Sequence, residues 1–193
     1  MFTKIHKSYN IPNLKTILPK LNEANMEYFM FYGSLLGCVR EGSLLEMDDD
    51  VDILINAKHR KELYKIIEED FETIDTTQHP NNSPHFLQGT RMMGDKRTYI
   101  DFYLFDSEIN KTNIIDRWNF WARWEEPEYY LMIPKSLIYP IKKKTFEFGT
   151  CGIPAQEVET VKYLYGDRWM HPSDKGKQYT TIMKNGRPYV EYL

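Results

Sequence analysis

The sequence predicts an α+β protein, a mixed α/β arrangement in which helices pack against one mixed β-sheet. Short apolar runs typical of buried strands alternate with segments whose apolar residues recur at helical spacing. The composition is that of a globular protein, with 41% hydrophobic and 27% charged residues. With 193 residues, the chain is expected to form a single domain, 1–193, with a substantial core.

The first half of the chain supplies the predicted sheet. Residues 13–25 carry apolar residues at helical spacing, but Pro19 interrupts them, which predicts a kink or two short helices. Gly94-Asp95 between two apolar runs predicts a hairpin. In order, the other predictions are a strand at 26–32, a helix at 34–40, a strand at 51–55, a helix at 58–70, a strand at 71–76, a loop at 77–85 and the hairpin strands at 86–93 and 98–105.

The second half, 106–193, is predicted to be an aromatic-rich, largely helical C-terminal extension of a core formed by 26–105. Its tryptophans at 118, 121 and 124 are spaced by three, which favours a packed helical face over a platform for stacking sugars. The further predictions are short strands or extended segments at 137–141 and 144–149, and a helix at 154–165 with Val158, Val161 and Leu164 on its buried face.

Charge and targeting signals exclude several classes of protein. The net charge of −3 does not favour nucleic-acid binding. Two cysteines are too few for a disulfide framework or a four-thiolate zinc site. The first ten residues lack the apolar core of a signal peptide, and no run approaches 18 apolar residues. The expected location is therefore cytoplasmic.

Four aspartates stand at the entrance to the predicted strand 51–55, namely Asp48, Asp49, Asp50 and Asp52. Alternate side chains of a strand share a face, so Asp50 and Asp52 point one way and the apolar residues between them point the other. Their carboxylates can converge on a hard divalent cation, Mg²⁺ or Mn²⁺. Asp48 joins them if the strand extends back, and Asp49 is expected to point away. The alternative is a solvated acidic turn.

Two further features surround this strand. Gly33-Ser34 opens a helix whose first N–H groups can bind phosphate, although a helix N-cap is an alternative role for Ser34. Arg40 at the end of that helix suits either bidentate phosphate binding or a surface ion pair. Asp101 is a lone carboxylate in an apolar strand, where an unpaired charge is costly. It is a candidate general base beside Asp50 and Asp52, or a structural aspartate bonded to backbone N–H groups.

Taken in order, these motifs resemble the LicD family of the nucleotidyltransferase superfamily, which includes bacterial phosphocholine transferases and fukutin-related proteins. The resemblance spans roughly 26–172. It is carried by YGSLLG at 32–37 with Arg40, by DDDVD at 48–52, by the strand around Asp101, by Pro154 and by YGDRW at 165–169. Glu46-Met47 stand where the family usually has Pro-Trp.

The resemblance implies a nucleotidyltransferase-like core and a metal-dependent phosphotransferase. The reaction would move phosphocholine, ribitol phosphate or glycerol phosphate from a CDP-activated donor to a hydroxyl of a glycan or lipid-linked saccharide, releasing CMP. The residues implied for catalysis are Asp50, Asp52 and Asp101. Those implied for the cation are the same three with Asp48. Those implied for the donor phosphates are Gly33, Ser34 and Arg40.

Other substrate contacts and other functions stay open. Candidate substrate-binding residues are His85, Arg91, Lys96 and Arg97. Their alternative role is that of ordinary solvated surface groups. One rival function is a nucleotidyltransferase that transfers NMP and releases pyrophosphate. A second rival is a non-catalytic nucleotide-binding subunit. A chain that acts on lipid-linked saccharides would also suit a peripheral membrane or protein partner.

Overall fold

A mixed β-sheet forms the centre of the protein, as the computed structural model shows for residues 4–75, 85–108, 110–116, 131–171, 179–184 and 187–192. The first elements are β1 (Ile5–His6), α1 (Lys7–Glu23), β2 (Tyr28–Met30), α2 (Tyr32–Arg40), β3 (Met47–Asp48), β4 (Val51–Asn56), a 3₁₀ turn (Ala57–His59), α3 (Arg60–Glu68), β5 (Glu72–Asp75), β6 (Phe86–Met93) and β7 (Lys96–Asp106). They are followed by β8 (Asn113–Asp116), β9 (Leu131–Pro134), α4 (Lys135–Ile138), β10 (Lys142–Phe146), β11 (Gly149–Ile153), α5 (Glu157–Tyr165), β12 (Tyr179–Lys184) and β13 (Arg187–Tyr192).

The strand order of the central sheet places β4 and β7 side by side. Among the described strands the order is β2-β4-β7-β6-β5, and β8 pairs with both β7 and β9. The β4–β7 pair is parallel, whereas β2–β4, β6–β7 and β5–β6 are antiparallel. The predicted mixed sheet is therefore confirmed.

Helices cover both faces of this sheet. On one face, Asn13 of α1 donates from Nδ2 to Oγ1 of Thr98 over 2.8 Å, and Ile67 of α3 lies against Gly89 of β6. On the other face, α2 packs on β4 and against α5. All six residues of β4 are buried between these layers. Because β4 is covered on both faces, its two alternating sets of side chains meet different neighbours.

The first long helix differs from its prediction. It is one continuous helix from Lys7 to Glu23, with Pro12 and Pro19 inside it, so the expectation of two separate helices is wrong. Its apolar face is fully buried as predicted, and it consists of Leu14, Ile17, Leu18 and Leu21. An interior proline costs about 3 kcal/mol, while burying one leucine contributes about 1.5–3 kcal/mol. Packing of the helix on the sheet therefore outweighs the prolines.

The C-terminal extension contains more strand than the sequence suggests. Its described residues hold six strands and two short helices, including the hairpins β10–β11 and β12–β13. The segment 137–141 begins in helix α4 rather than in a strand. Val158 is 39% exposed, so its predicted place on the buried face of α5 is wrong, and that face consists of Thr160, Val161 and Leu164.

Two parts of the prediction fall outside the described residues, namely most of the loop at 77–85 and the tryptophans at 118, 121 and 124. Within the residues that are described, every helix is too short or too polar to traverse a lipid bilayer.

Candidate active site

Two predicted site residues lie opposite each other on the central parallel strand pair. Asp52 of β4 and Asp101 of β7 are register partners, so their side chains leave the same face of the sheet. The spacing of neighbouring strands is about 4.8 Å. Asp52 is 6% exposed and Asp101 is 7% exposed. The structure therefore places both carboxylates next to each other and almost completely buried from solvent.

The other aspartates directly precede β4: Asp48 ends β3, Asp49 and Asp50 connect it to β4, and the three together are called the aspartate loop. Carboxylate oxygens of Asp48, Asp49 and Asp50 all lie within 4.8 Å of one another. The expectation that Asp49 points away is wrong, because Asp49 and Asp50 precede the strand and strand alternation does not apply to them.

The start of helix α2 touches these carboxylates. A Cβ atom on Gly33 would lie 2.7 Å from Oδ2 of Asp48 and 3.2 Å from Oδ2 of Asp52, so a side chain there would displace them. The first N–H groups of a helix lack intrahelical partners, and the positive end of its dipole favours nearby anions. The glycine thus lets two carboxylates approach the favourable end of α2.

Ser34 has a structural contact in this arrangement. Its Oγ accepts a hydrogen bond from the backbone N–H of Asp52 over 2.9 Å, and the side chain is 1% exposed. The N–H of Phe31 donates to the carbonyl of the same aspartate over 3.2 Å. Phe31 is the N-cap residue of α2, so the N-cap alternative for Ser34 is wrong. Both contacts fix the backbone that carries the Asp52 carboxylate.

Each strand aspartate also receives a side-chain hydrogen bond. Gln88 of β6 donates from Nε2 to Oδ1 of Asp101 over 2.7 Å, so this aspartate has a side-chain amide as partner. The hydroxyl of Tyr103 donates to Oδ1 of Asp52 over 3.2 Å. Sequence patterns alone give neither Gln88 nor Tyr103 a role in the site. The available signal was their position, because each is a polar group in an apolar strand on the face shared with Asp101.

Behind Tyr103 lies a second buried acid–hydroxyl pair. The rings of Tyr103 and Tyr32 meet edge to face with centroids 5.0 Å apart. The Tyr32 hydroxyl donates to Oδ2 of Asp116 over 2.7 Å, and Asp116 is fully buried. Tyr32 has a positive φ of 40° at the start of α2. These contacts connect the start of α2 to β8, which pairs with β7.

Burial makes the negative charge of this cluster unfavourable in the absence of a cation. It raises the pKa of Asp50 to about 11 and the pKa values of Asp48 and Asp101 to about 7. The pKa of Asp52 is raised well above its usual range by burial, and then by the charges of Asp48 and Asp101. These carboxylates repel one another, so the fully ionised cluster requires positive charge.

The donor set fits a hard divalent cation. Mg²⁺ and Mn²⁺ prefer oxygen ligands, and every candidate ligand here is a carboxylate. The residues available to hold the ion are Asp48, Asp49, Asp50, Asp52 and Asp101.

The structure does not bring Arg40 to these aspartates. Arg40 ends α2, about 10 Å along the helix from Gly33. Its guanidinium donates to the carbonyl of Trp169 over 3.4 Å and forms an ion pair with Glu41 at 2.9 Å. These are the contacts of its predicted alternative, an ion pair near the helix end.

Arg91 lies on the opposite face of the sheet from Asp101. Its Nε donates to Oδ1 of Asn13 over 2.6 Å, and its guanidinium stands 4.6 Å from the centroid of Phe71. Since Gln88 pairs with Asp101 in the β6–β7 register, Arg91 three positions later faces the other way. Its contacts are therefore with α1 and with the segment that follows α3.

The other candidate substrate-binding residues are spread along the β6–β7 hairpin. Lys96 and Arg97, near the turn, form exposed ion pairs with Asp95 and Glu72. His85 precedes β6 and accepts a backbone hydrogen bond from Leu104. They do not form one cluster, so their contact with substrate stays a prediction.

The N-terminal segment closes the other side of the aspartate loop. Strand β1 pairs with β3 so that Ile5 is opposite Asp48, and the N–H of Lys7 donates to the carbonyl of Glu46 over 2.9 Å. Asn10 of α1 donates from Nδ2 to the carbonyl of Asp50 over 3.4 Å. Sequence patterns missed these contacts, because a two-residue strand has no periodicity to detect.

Comparison with known proteins agrees with this architecture. Residues 25–156 match the family model described as "LicD/FKTN/FKRP, nucleotidyltransferase domain". An uncharacterized protein of Rickettsia prowazekii (strain Madrid E) is 29% identical over 133 residues, which are 67% of this chain and 43% of that protein. The chain thus spans less than half the length of this curated relative.

Solved structures share the fold at low sequence identity. The lincomycin-bound lincosamide antibiotic adenylyltransferase LnuA superposes with a TM-score of 0.51 at 12% identity, over 77% of this chain and 82% of that chain. An antigenic nucleotidyltransferase-like protein from Paracoccidioides brasiliensis gives a TM-score of 0.46 at 14% identity, over 77% of this chain and 62% of that one. The fold is that of a nucleotidyltransferase-like protein.

Proposed function

We propose that this chain, which belongs to the LicD/FKTN/FKRP nucleotidyltransferase-domain family, is a metal-dependent phosphotransferase. Its donor would be a CDP-activated alcohol such as CDP-choline, CDP-ribitol or CDP-glycerol. Its acceptor would be a hydroxyl of a glycan or lipid-linked saccharide. The observation that carries the proposal is the register pair of Asp52 and Asp101, set beside an aspartate loop and the start of α2.

The proposed reaction is a single displacement at phosphorus. The acceptor oxygen forms a bond to the phosphorus that carries the alcohol, and the bond between that phosphorus and CMP breaks. The proton of the acceptor hydroxyl passes to a carboxylate. A divalent ion held by Asp48, Asp50 and Asp52 would neutralise charge on the donor phosphates.

Asp101 is the proposed proton acceptor. Burial raises its pKa to about 7, close to the pH at which a general base works best. Gln88 orients it by donating to Oδ1, which leaves its other oxygen for the proton. Gly33 would admit the donor phosphates, together with the cation, beside the first N–H groups of α2, where Asp48 and Asp52 also approach. Asp52 is held by Ser34 through its backbone and by Tyr103 through its carboxylate.

The direct test follows CMP release from CDP-choline, CDP-ribitol and CDP-glycerol, with Mg²⁺ or Mn²⁺ and without an acceptor. This slow hydrolysis requires no knowledge of the acceptor. We expect metal-dependent release of CMP from one of the three donors. Asp50→Ala and Asp52→Ala should each lower the rate at least a hundredfold, because both remove proposed cation ligands.

A matched control is Asp95→Asn at the exposed β6–β7 turn, which should retain the wild-type rate. If the protein instead releases pyrophosphate from a nucleoside triphosphate and leaves NMP on the acceptor, the proposed phosphotransferase is wrong and the rival nucleotidyltransferase is right. Full activity in both alanine variants would remove the proposed cation site.

A further inference from the structure

Asn10 of α1 is a buried amide beside the aspartate loop, and half of it lacks a partner. It is 1% exposed, and its Nδ2 donates to the carbonyl of Asp50 over 3.4 Å. Its Oδ1 is buried and has no hydrogen-bond partner in the part of the chain that the structure describes. The residue lies outside the segment 25–156 that matches the family model.

The chemistry around Asn10 fixes which atom lacks a partner. Exchanging the two amide atoms would place Oδ1 against the carbonyl of Asp50, and two acceptors repel. The unpartnered atom is therefore the oxygen. It can be satisfied by a hydrogen-bond donor or by a cation, and no donor among the described residues reaches it.

Asn13, one helical turn away, provides an internal comparison. It is the same residue type, on the same helix, and is fully buried. Its Nδ2 donates to Thr98 over 2.8 Å, and its Oδ1 accepts from Arg91 over 2.6 Å. Asn13 is satisfied by protein partners, and Asn10 is not. What distinguishes Asn10 is its position against the aspartate loop.

We propose that Asn10 is a positioning residue of the cation site. Its Nδ2 holds the carbonyl of Asp50, and its Oδ1 accepts a hydrogen bond from a water molecule of the hydrated cation. Mg²⁺ and similar ions keep several waters when bound by a few carboxylates, so such a donor would be supplied with the ion. This inference rests on the proposed function, because it requires that the aspartates bind a cation.

The test measures Mn²⁺ binding to the full chain by calorimetry in the wild type and in Asn10→Leu. Loss of a residue that supports metal ligands typically lowers affinity by about 10- to 100-fold, and we expect a loss in that range. Thermal unfolding supplies a second readout. In EDTA the variant loses both the unpartnered oxygen and the 3.4 Å hydrogen bond to the carbonyl of Asp50, so its unfolding temperature should stay close to that of the wild type. Addition of Mn²⁺ should raise the unfolding temperature of Asn10→Leu by less than it raises that of the wild type.

Asn13→Leu is the matched control, and Asn10→Ala is a second variant without added bulk. The control should unfold at a lower temperature both in EDTA and in Mn²⁺, yet bind Mn²⁺ with wild-type affinity. Folded Asn10 variants that bind Mn²⁺ within about twofold of the wild type would overturn the role of Asn10 while leaving the proposed function intact. A wild-type protein that binds no Mn²⁺ would overturn both proposals.

Discussion

At the scale of the residue, Tyr103 shows how a neutral side chain controls the charge of the site. Its hydroxyl donates to Asp52 over 3.2 Å, and this nearby donor lowers the pKa values of both Asp52 and Asp101 against the stronger effect of burial. Replacing the hydroxyl leaves the ring packing on Tyr32 and Phe86 in place. A substitution of Tyr103 by phenylalanine therefore tests the effect of the hydroxyl on the two aspartates without changing the packing of the ring.

Tyr103→Phe should lower kcat/KM for CMP release about tenfold or more, since a hydrogen bond to a charged group contributes about 1.5–3 kcal/mol. The pKa values of the two aspartates should rise, so the ascending limb of the pH–rate profile should move to higher pH. Tyr64→Phe, on α3, is the control and should leave the profile in place. An unshifted profile in Tyr103→Phe would show that this hydroxyl does not tune the carboxylates.

Single residues also show where sequence reading succeeds and fails. The two faces of the strand 51–55 followed from alternation, and the structure buries both. Arg40 was assigned to the phosphate site although a helix places it about 10 Å from Gly33. Arg91 is a candidate substrate-binding residue from the sequence, and the hairpin register turns it away from Asp101. The positions of these two arginines follow from the rise of a helix and from the alternation of side chains along a strand, and both can be worked out from the sequence. The hydrogen-bond partner of Asp101 depends on the order of the strands in the sheet, which cannot.

At the scale of the element, the contact between α2 and β4 depends on one hydroxyl. Ser34→Ala would leave the N–H of Asp52 buried without an acceptor. An unsatisfied buried donor costs about 1–3 kcal/mol, so the free energy of unfolding, measured in urea, should fall by that amount. Mn²⁺ affinity should fall as well, because Asp52 would be less firmly positioned.

Ser136→Ala on α4 is the control for this variant, since that side chain is exposed and should change stability by less than about 0.5 kcal/mol. If Ser34→Ala keeps both wild-type stability and wild-type Mn²⁺ affinity, the hydroxyl does not hold α2 to β4.

Short elements limited prediction more than long ones. The helix α1 and the hairpin of β6 and β7 have enough residues to display a period, so the hairpin and the buried helical face of α1 were predicted, although the continuity of α1 through its prolines was not. The pairing of β1 with β3 involves two residues on each side, and the hairpin β12–β13 follows a polar, glycine-containing segment. Neither pairing shows a pattern in the sequence. The pairing of β1 with β3 is held by contacts between segments some forty residues apart.

At the scale of the whole molecule, the aspartate cluster links stability to pH. An aspartate of the unfolded chain has a pKa of about 3.9. In the folded protein without cation, burial raises the pKa values of Asp48 and Asp101 to about 7. The folded state then holds protons that the unfolded state releases. These groups therefore contribute stability at low pH that is lost as pH rises through about 7.

In EDTA, we expect the unfolding temperature to fall between pH 5 and pH 8 by more in the wild type than in Asp101→Asn, whose side chain cannot ionise. The difference between the two proteins isolates this aspartate from other titrating groups. With saturating Mn²⁺ the fall should become smaller, because the cation stabilises the ionised carboxylates and binds better as protons leave. Parallel curves for the two proteins in EDTA would contradict the linkage.

The ladder of hydrogen bonds between β4 and β7 would limit which ions the proposed cation site can hold. It sets the distance between the backbones of Asp52 and Asp101, so a cation bound by both carboxylates would have to match a fixed separation. Ca²⁺ takes six to eight oxygens at about 2.3–2.6 Å, while Mg²⁺ requires about 2.0–2.1 Å. Asp49 and Asp50 lie outside that ladder, between β3 and β4. We expect selectivity among cations to reside in the strand pair, and the exchange of ion and product to depend on movement of the loop.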